Sequence, residues 1–205
     1  MGSLLAGAAL VIAWPIVLSR FGHDDVYRAL GPFAVLVVAL VLSFGRRERV
    51  LPRAGSEWRR DIAIGLGCGG VMTVGTYAAY AVAARFVPGL ARSVRDLYRT
   101  AGTDSLAIAL LSTVAAIVAE EVLWRGPLLR TLERRTGRSL AIAISLGTYV
   151  LAQTGSRSVI VALAALVCGS IWLAERLWTR SMVAPLLSHL IWTLIVIHLW
   201  PVTAV

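Results

Sequence analysis

Runs of apolar residues alternate along the chain with short, arginine-rich breaks, and each run is about as long as a bilayer is thick. Seven runs can be traced, at roughly 3–19, 29–45, 62–84, 105–125, 139–154, 158–174 and 181–200. They predict an all-α fold, a polytopic transmembrane helical bundle of about seven spans, with six and eight as the neighbouring counts. The fifth and sixth runs are short, and only Thr154-Gly155-Ser156-Arg157 separates them, so a re-entrant hairpin is the alternative for that pair. The first run lacks a basic lead-in and an obvious small-residue cleavage site, and it carries Trp14-Pro15 inside it. It reads as a retained anchor rather than a cleaved signal peptide.

Two polar stretches interrupt the runs. Arg46 to Asp61, with Pro52, Gly55 and Trp58, reads as a loop carrying an interfacial aromatic. Pro88 to Asp104 sets Leu90, Val94 and Leu97 among charges, the pattern of an amphipathic segment on the membrane surface. Gly65 and Gly69 have the spacing of a close helix–helix contact, with Gly70 extending the smooth face. We divide the chain into residues 1–104, N-terminal transmembrane helices and loops, and residues 105–205, the helices that carry the candidate chemistry.

Composition supports this pattern: with 58% hydrophobic residues and a mean hydropathy of +0.78, a water-soluble domain is excluded. The net charge of +9 comes from arginine alone, since the chain has no lysine. Those arginines cluster between the spans, which bears on membrane orientation and not on nucleic acid. The breaks after the second, fourth and sixth spans hold more of them than the alternate ones, although Arg85, Arg92, Arg95 and Arg99 narrow the contrast. A cytoplasmic N-terminus follows, and the plasma membrane of a prokaryote is the expected setting. Cys68 and Cys168 lie inside spans, with neither a metal-ligand spacing nor a disulfide framework.

The candidate chemistry sits where the fourth run ends, in Glu120-Glu121-Val122-Leu123-Trp124-Arg125-Gly126. Adjacent carboxylates at the end of an apolar run are costly unless they face a cavity, a partner or a reaction. On a helix Glu121 and Arg125 share a face in the favoured acid-before-base order. Glu120 is turned about 100° away, toward a different neighbour. Gly126-Pro127 then loosens the helix, because Pro127 has no N–H for the carbonyl of Leu123. One reading makes this only a charged helix end. The other rests on His189, about nine residues or ~14 Å inside Arg180, a depth similar to that of Glu120. A lone histidine in such a run can also be a packed core residue. His198 falls on the opposite helical face and His23 in a loop, so neither joins easily. Without HExxH or a nearby cysteine the usual catalytic zinc ligands are missing, and without Gly-x-Ser-x-Gly a Ser-His-Asp arrangement has no support. What remains is a carboxylate acting on water beside an imidazole.

Glu120-Glu121-x-x-x-Arg125, followed by Pro185-Leu186-Leu187-Ser188-His189 in the last span, resembles the CAAX prenyl protease and bacteriocin-processing (CPBP, Abi) family of intramembrane glutamate proteases. The resemblance covers about Leu106 to Leu199, and the order of elements fits, including a glycine-containing helix at Gly169. It implies that Glu120 activates the hydrolytic water, that Glu121 and Arg125 form a supporting pair, and that His189 binds the oxyanion. Two positions depart from the family pattern. The second motif, an aromatic followed four residues later by histidine, is here Tyr149-Val150-Leu151-Ala152-Gln153. Thr193 stands where asparagine or aspartate is usual. Gln153 can hydrogen-bond but cannot take up a proton, and Thr193 offers one hydroxyl on the His189 face. The expectation is a membrane-embedded endopeptidase with no cofactor or metal, acting on a protein or peptide in or at the lipid bilayer. The alternatives are a catalytically inactive family member serving as an immunity or scaffold protein, and, last, a small proton-relaying transporter.

Overall fold

The computed structural model describes residues 2–21, 25–44, 56–87, 89–101 and 105–204, and among these the chain is helical with no strand. The elements are α1 (Gly2–Phe21), α2 (Val26–Phe44), α3 (Ser56–Phe86), α4 (Leu90–Ala101), α5 (Leu106–Glu120), α6 (Leu129–Thr136), α7 (Arg138–Gln153), α8 (Val159–Thr179) and α9 (Val183–Thr193). Wide π turns over Glu121–Leu128 join α5 to α6, and a second π segment, Leu194–Leu199, extends α9. Every expected span maps onto a helix.

Among the described residues, four helical stretches are long and apolar enough to cross a membrane on their own: Val26–Ser43, Glu57–Phe86, Leu106–Thr136 and Val159–Thr179. Their outward faces carry apolar side chains, among them Leu66, Val71, Val74 and Val82 of α3. Such a surface suits hydrocarbon and not water. The apolar stretches Gly7–Phe21 and Val183–Leu199 are shorter. Helix α7, at 16 residues, rises only about 24 Å. The chain is an integral membrane protein built as a helical bundle.

Local signals explain the boundaries. The Ser105 hydroxyl accepts from the Ile108 N–H at the start of α5, and Ser158 caps α8 through the Val161 N–H. Gly137, at φ 80°, ends α6 and opens α7 directly. Two expectations shift. Trp58 to Asp61 belong to the first turns of α3 and not to a loop, since Ser56 starts the helix and Glu57 complements its dipole. The amphipathic segment forms α4, and its Val94 is buried against Val196 and Val202. The Tyr98 hydroxyl donates to the Val196 carbonyl at 2.7 Å, so α4 is pinned to the end of the last span. The rest of the first polar stretch, as well as His23, Pro88 and Asp104, lies outside the described residues.

Gly65 and Gly69 do form the contact their spacing predicts. A Cβ on Gly65 would lie 2.8 Å from the Ala184 carbonyl oxygen, and one on Gly69 would lie 3.1 Å from the Ser188 Cα. Helix α3 therefore lies against the backbone of α9, directly behind His189. The main core joins α1, α2, α5, α7 and α8 through Trp14, Val37, Trp124, Tyr149 and Trp172. Trp14 is fully buried and meets Trp124 edge-on at 5.3 Å. The first helix thus closes one wall around the second motif.

Candidate active site

The site is built on the break after α5. Gly126 has non-helical backbone angles (φ −93°, ψ −120°), and Pro127 follows it without an N–H to donate. Backbone carbonyls at the break find partners on other helices. The Ser145 hydroxyl of α7 donates to the Trp124 carbonyl at 2.9 Å. Arg176 Nε of α8 donates to the Arg125 carbonyl at 3.0 Å. Gly126-Pro127 therefore does more than loosen the helix: it ties three helices at the turn that carries Glu121 and Arg125.

Helical rotation sends the two carboxylates to different neighbours, as adjacent positions on a helix require. Glu120 accepts from the Tyr149 hydroxyl through Oε2 at 2.9 Å and from Gln153 Nε2 through Oε1 at 2.6 Å. Tyr149 and Gln153 are one helical turn apart on α7, so a single face of that helix grips both oxygens. Glu121 is 1% exposed. Its Oε1 lies 3.4 Å from Arg125 Nη1 and 2.9 Å from His189 Nδ1. The other ring nitrogen, His189 Nε2, is 3.8 Å from Glu120 Oε2, beyond a direct hydrogen bond.

Aromatic rings fix the imidazole and the guanidinium in place. The His189 ring stacks on Trp172 at 3.5 Å between centroids and 16° between planes. The Arg125 guanidinium lies 4.1 Å over the Tyr149 ring and 5.7 Å from that of Trp172. Its Nη2 donates to the Gly169 carbonyl at 3.4 Å. Gly169 has no room for a side chain, because a Cβ there would stand 2.9 Å from the Tyr149 ring and 3.3 Å from Arg125 Nη2. Beneath His189, Ser188 is fully buried and donates its hydroxyl to Glu175 Oε2 on α8.

Of the residues singled out in the sequence, Glu120, Glu121, Arg125, Gln153 and His189 converge. The pairing differs from the expectation in one respect. Glu121 is shared between Arg125 and His189, and Glu120 is held by α7 rather than meeting the imidazole directly. Thr193 stands apart: its hydroxyl is buried and makes no hydrogen bond. His198 is engaged elsewhere, 2.8 Å from Thr113 Oγ1. In the sequence Tyr149 stands out only as the aromatic of a motif, and Trp172 and Ser145 do not stand out. The i, i+4 spacing of Tyr149 with Gln153 was the available signal. Nothing along the chain announces that Trp172 would meet His189. Among the described residues no three His, Cys, Asp or Glu side chains group as a metal site.

A helical membrane bundle with two buried glutamates, an arginine and a histidine at one centre defines an intramembrane polar site. The family model described as type II CAAX prenyl endopeptidase Rce1-like matches residues 102–195. Through that stretch, under half of the 205 residues, the chain is similar to the CAAX protease family, a family of proteases. No curated protein and no solved structure matches it.

Proposed function

We propose that the protein is an intramembrane endopeptidase that hydrolyses a peptide bond in a membrane-associated protein or peptide, with Glu120 activating the water. The observation that carries this reading is the 3.8 Å separation of Glu120 Oε2 and His189 Nε2, each anchored through its other polar atom. A water oxygen to one side of the pair can lie at hydrogen-bond distance from both. In the reaction the water gives a proton to Glu120, and its oxygen bonds to the carbonyl carbon of the scissile peptide. His189, its Nδ1 held by Glu121, donates Nε2–H to the developing oxyanion. As the C–N bond breaks, Glu120 returns the proton to the leaving amine. Gln153 and Tyr149 orient Glu120, and Arg125 neutralises Glu121. We assign no role in the reaction to Thr193. The site faces the cytoplasmic half of a prokaryotic plasma membrane, following the arginine distribution, with the N-terminus in the cytoplasm.

The second reading is a family member that keeps the pocket and binds a tail without cutting it. It is favoured by Gln153, which cannot shuttle a proton. Purified protein in detergent, incubated with a library of membrane-anchored peptides, separates the two. Cleavage by wild type that Glu120→Gln abolishes supports the protease. A tail that is bound but left intact by wild type sinks it.

A further inference from the structure

Buried acids that the reaction does not use lie along one seam of the bundle, between α3, α8 and α9. Glu175 of α8 is 3% exposed, and among the described residues no cation pairs with it. Its Oε2 accepts from Ser188 of α9, and the Cys68 thiol of α3 turns toward the same carboxyl. Its Oε1 takes no hydrogen bond from the protein. A tie between α8 and α9 needs only the first of these oxygens.

The seam reaches the candidate active site at one end. Glu175 is one helical turn from Trp172, on which His189 stacks, and Ser188 directly precedes His189. The adjacent Arg176 holds the Arg125 carbonyl, which sets Glu175 at the level of the Glu121–Arg125 pair. In the other direction, toward the end of the bundle at Arg180, the Thr179 hydroxyl donates to the Glu175 carbonyl at 2.8 Å and accepts from the Ser181 N–H at 3.2 Å. Both of these residues are buried. Helices α3 and α9 run parallel here, since Gly65 meets Ala184 and Gly69 meets Ser188. Asp61, one turn before Gly65, therefore falls beside the start of α9. It is fully buried, with Oδ1 paired to the half-exposed Arg60 and Oδ2 taking no hydrogen bond from the protein. One unmatched carboxylate oxygen thus stands at each of three levels: Asp61 Oδ2 at the end of the bundle, Glu175 Oε1 midway and Glu121 Oε2 at the site. Buried acceptors without protein donors are matched by internal water, and ionisable residues inside a membrane bundle line polar pathways.

We propose that the seam between α3, α8 and α9 carries water from the end of the bundle at Asp61 and Arg180 to the carboxylate pair, with Glu175 as its middle station. As the supply of the hydrolytic water the seam rests on the protease reading, whereas its hydration does not. Millisecond X-ray radiolysis of the full chain in detergent, read by mass spectrometry, oxidises side chains that touch ordered water. The two cysteines report on the two settings: Cys68 lies on the seam and Cys168 in the apolar core. Cys68 should be oxidised several times faster than Cys168. Glu175→Leu, close in size but unable to hold water, should slow oxidation of Cys68 several-fold without affecting Cys168, and Glu175→Gln should restore it. Thr179→Val, an isosteric change nearer the mouth of the seam, carries the same expectation should Glu175→Leu fail to fold. In peptide cleavage the apolar variants should lower kcat with little change in KM, because the seam supplies water and not peptide. Oxidation of Cys68 no faster than that of Cys168, or a rate unmoved by the apolar variants, would overturn the proposal. Fast labelling of Cys68 in a chain that cuts no peptide supports the hydrated seam and counts against the protease reading instead.

Discussion

The imidazole of His189 lies flat on the indole of Trp172, ring centroids 3.5 Å apart, while its Nδ1 is held at 2.9 Å by Glu121. One contact fixes the plane of the ring and the other fixes its rotation within that plane. Nε2 is left with a single direction to face, toward Glu120.

Trp172 is accordingly a positioning residue. Trp172→Phe keeps a surface for His189 and should retain part of any cleavage activity. Trp172→Ala should lose nearly all of it and lower stability by about 3–5 kcal/mol. Cleavage of a model substrate together with the apparent unfolding midpoint in detergent checks both. Equal activity of the two variants would show that stacking does not matter.

The two glutamates should separate by stability. Glu121→Gln leaves Arg125, 1% exposed, as a buried cation without its carboxylate, and should destabilise by about 3–5 kcal/mol. Glu120→Gln keeps the shape of a side chain held by two neutral donors, and should shift the midpoint much less while abolishing hydrolysis. Midpoints compared at one scan rate decide the order.

Gly65 and Gly67 form a matched pair on one helix. A Cβ at Gly65 runs into the backbone of α9, whereas one at Gly67 meets nothing within 4 Å. Gly65→Ala should destabilise by about 1–3 kcal/mol, and Gly67→Ala should be neutral or gain about 0.5–1 kcal/mol. Similar midpoints for the two would refute the close packing of α3 on α9.

Gln153→His tests the departure from the family pattern. A histidine at 153 stays one turn from Tyr149 and within reach of Glu120, so the bundle should remain folded. An active pocket should then cleave faster than wild type. An unchanged rate would mean that the residue at 153 only orients Glu120.

Much of this is legible in the sequence. Alternating apolar runs locate the helices to within a few residues because each must satisfy its own backbone in hydrocarbon, which leaves helix as the local solution. The rotation of Glu120 away from Glu121 follows from 3.6 residues per turn, and the α3 contact from the spacing of Gly65 and Gly69. What periodicity does not carry is the partner across a gap. That Glu121 takes the histidine, that Trp172 supports it and that the Thr193 hydroxyl makes no hydrogen bond depend on how α8 and α9 are set against α5. Those distances are fixed by packing between residues far apart in sequence. Trp58 to Asp61 misled for a local reason: charges at the first turns of a long membrane helix look like loop until the start at Ser56 is recognised.

The break at Gly126 has a bearing on how this protein tolerates change. The acceptors it presents to Ser145 and Arg176 are main-chain carbonyls, which persist whatever side chains stand at 124 and 125. Loss of either distant donor strands a buried acceptor at a cost of about 1–3 kcal/mol. The durability of the site is therefore recorded at 145 and 176, two helices away from the glutamates it serves.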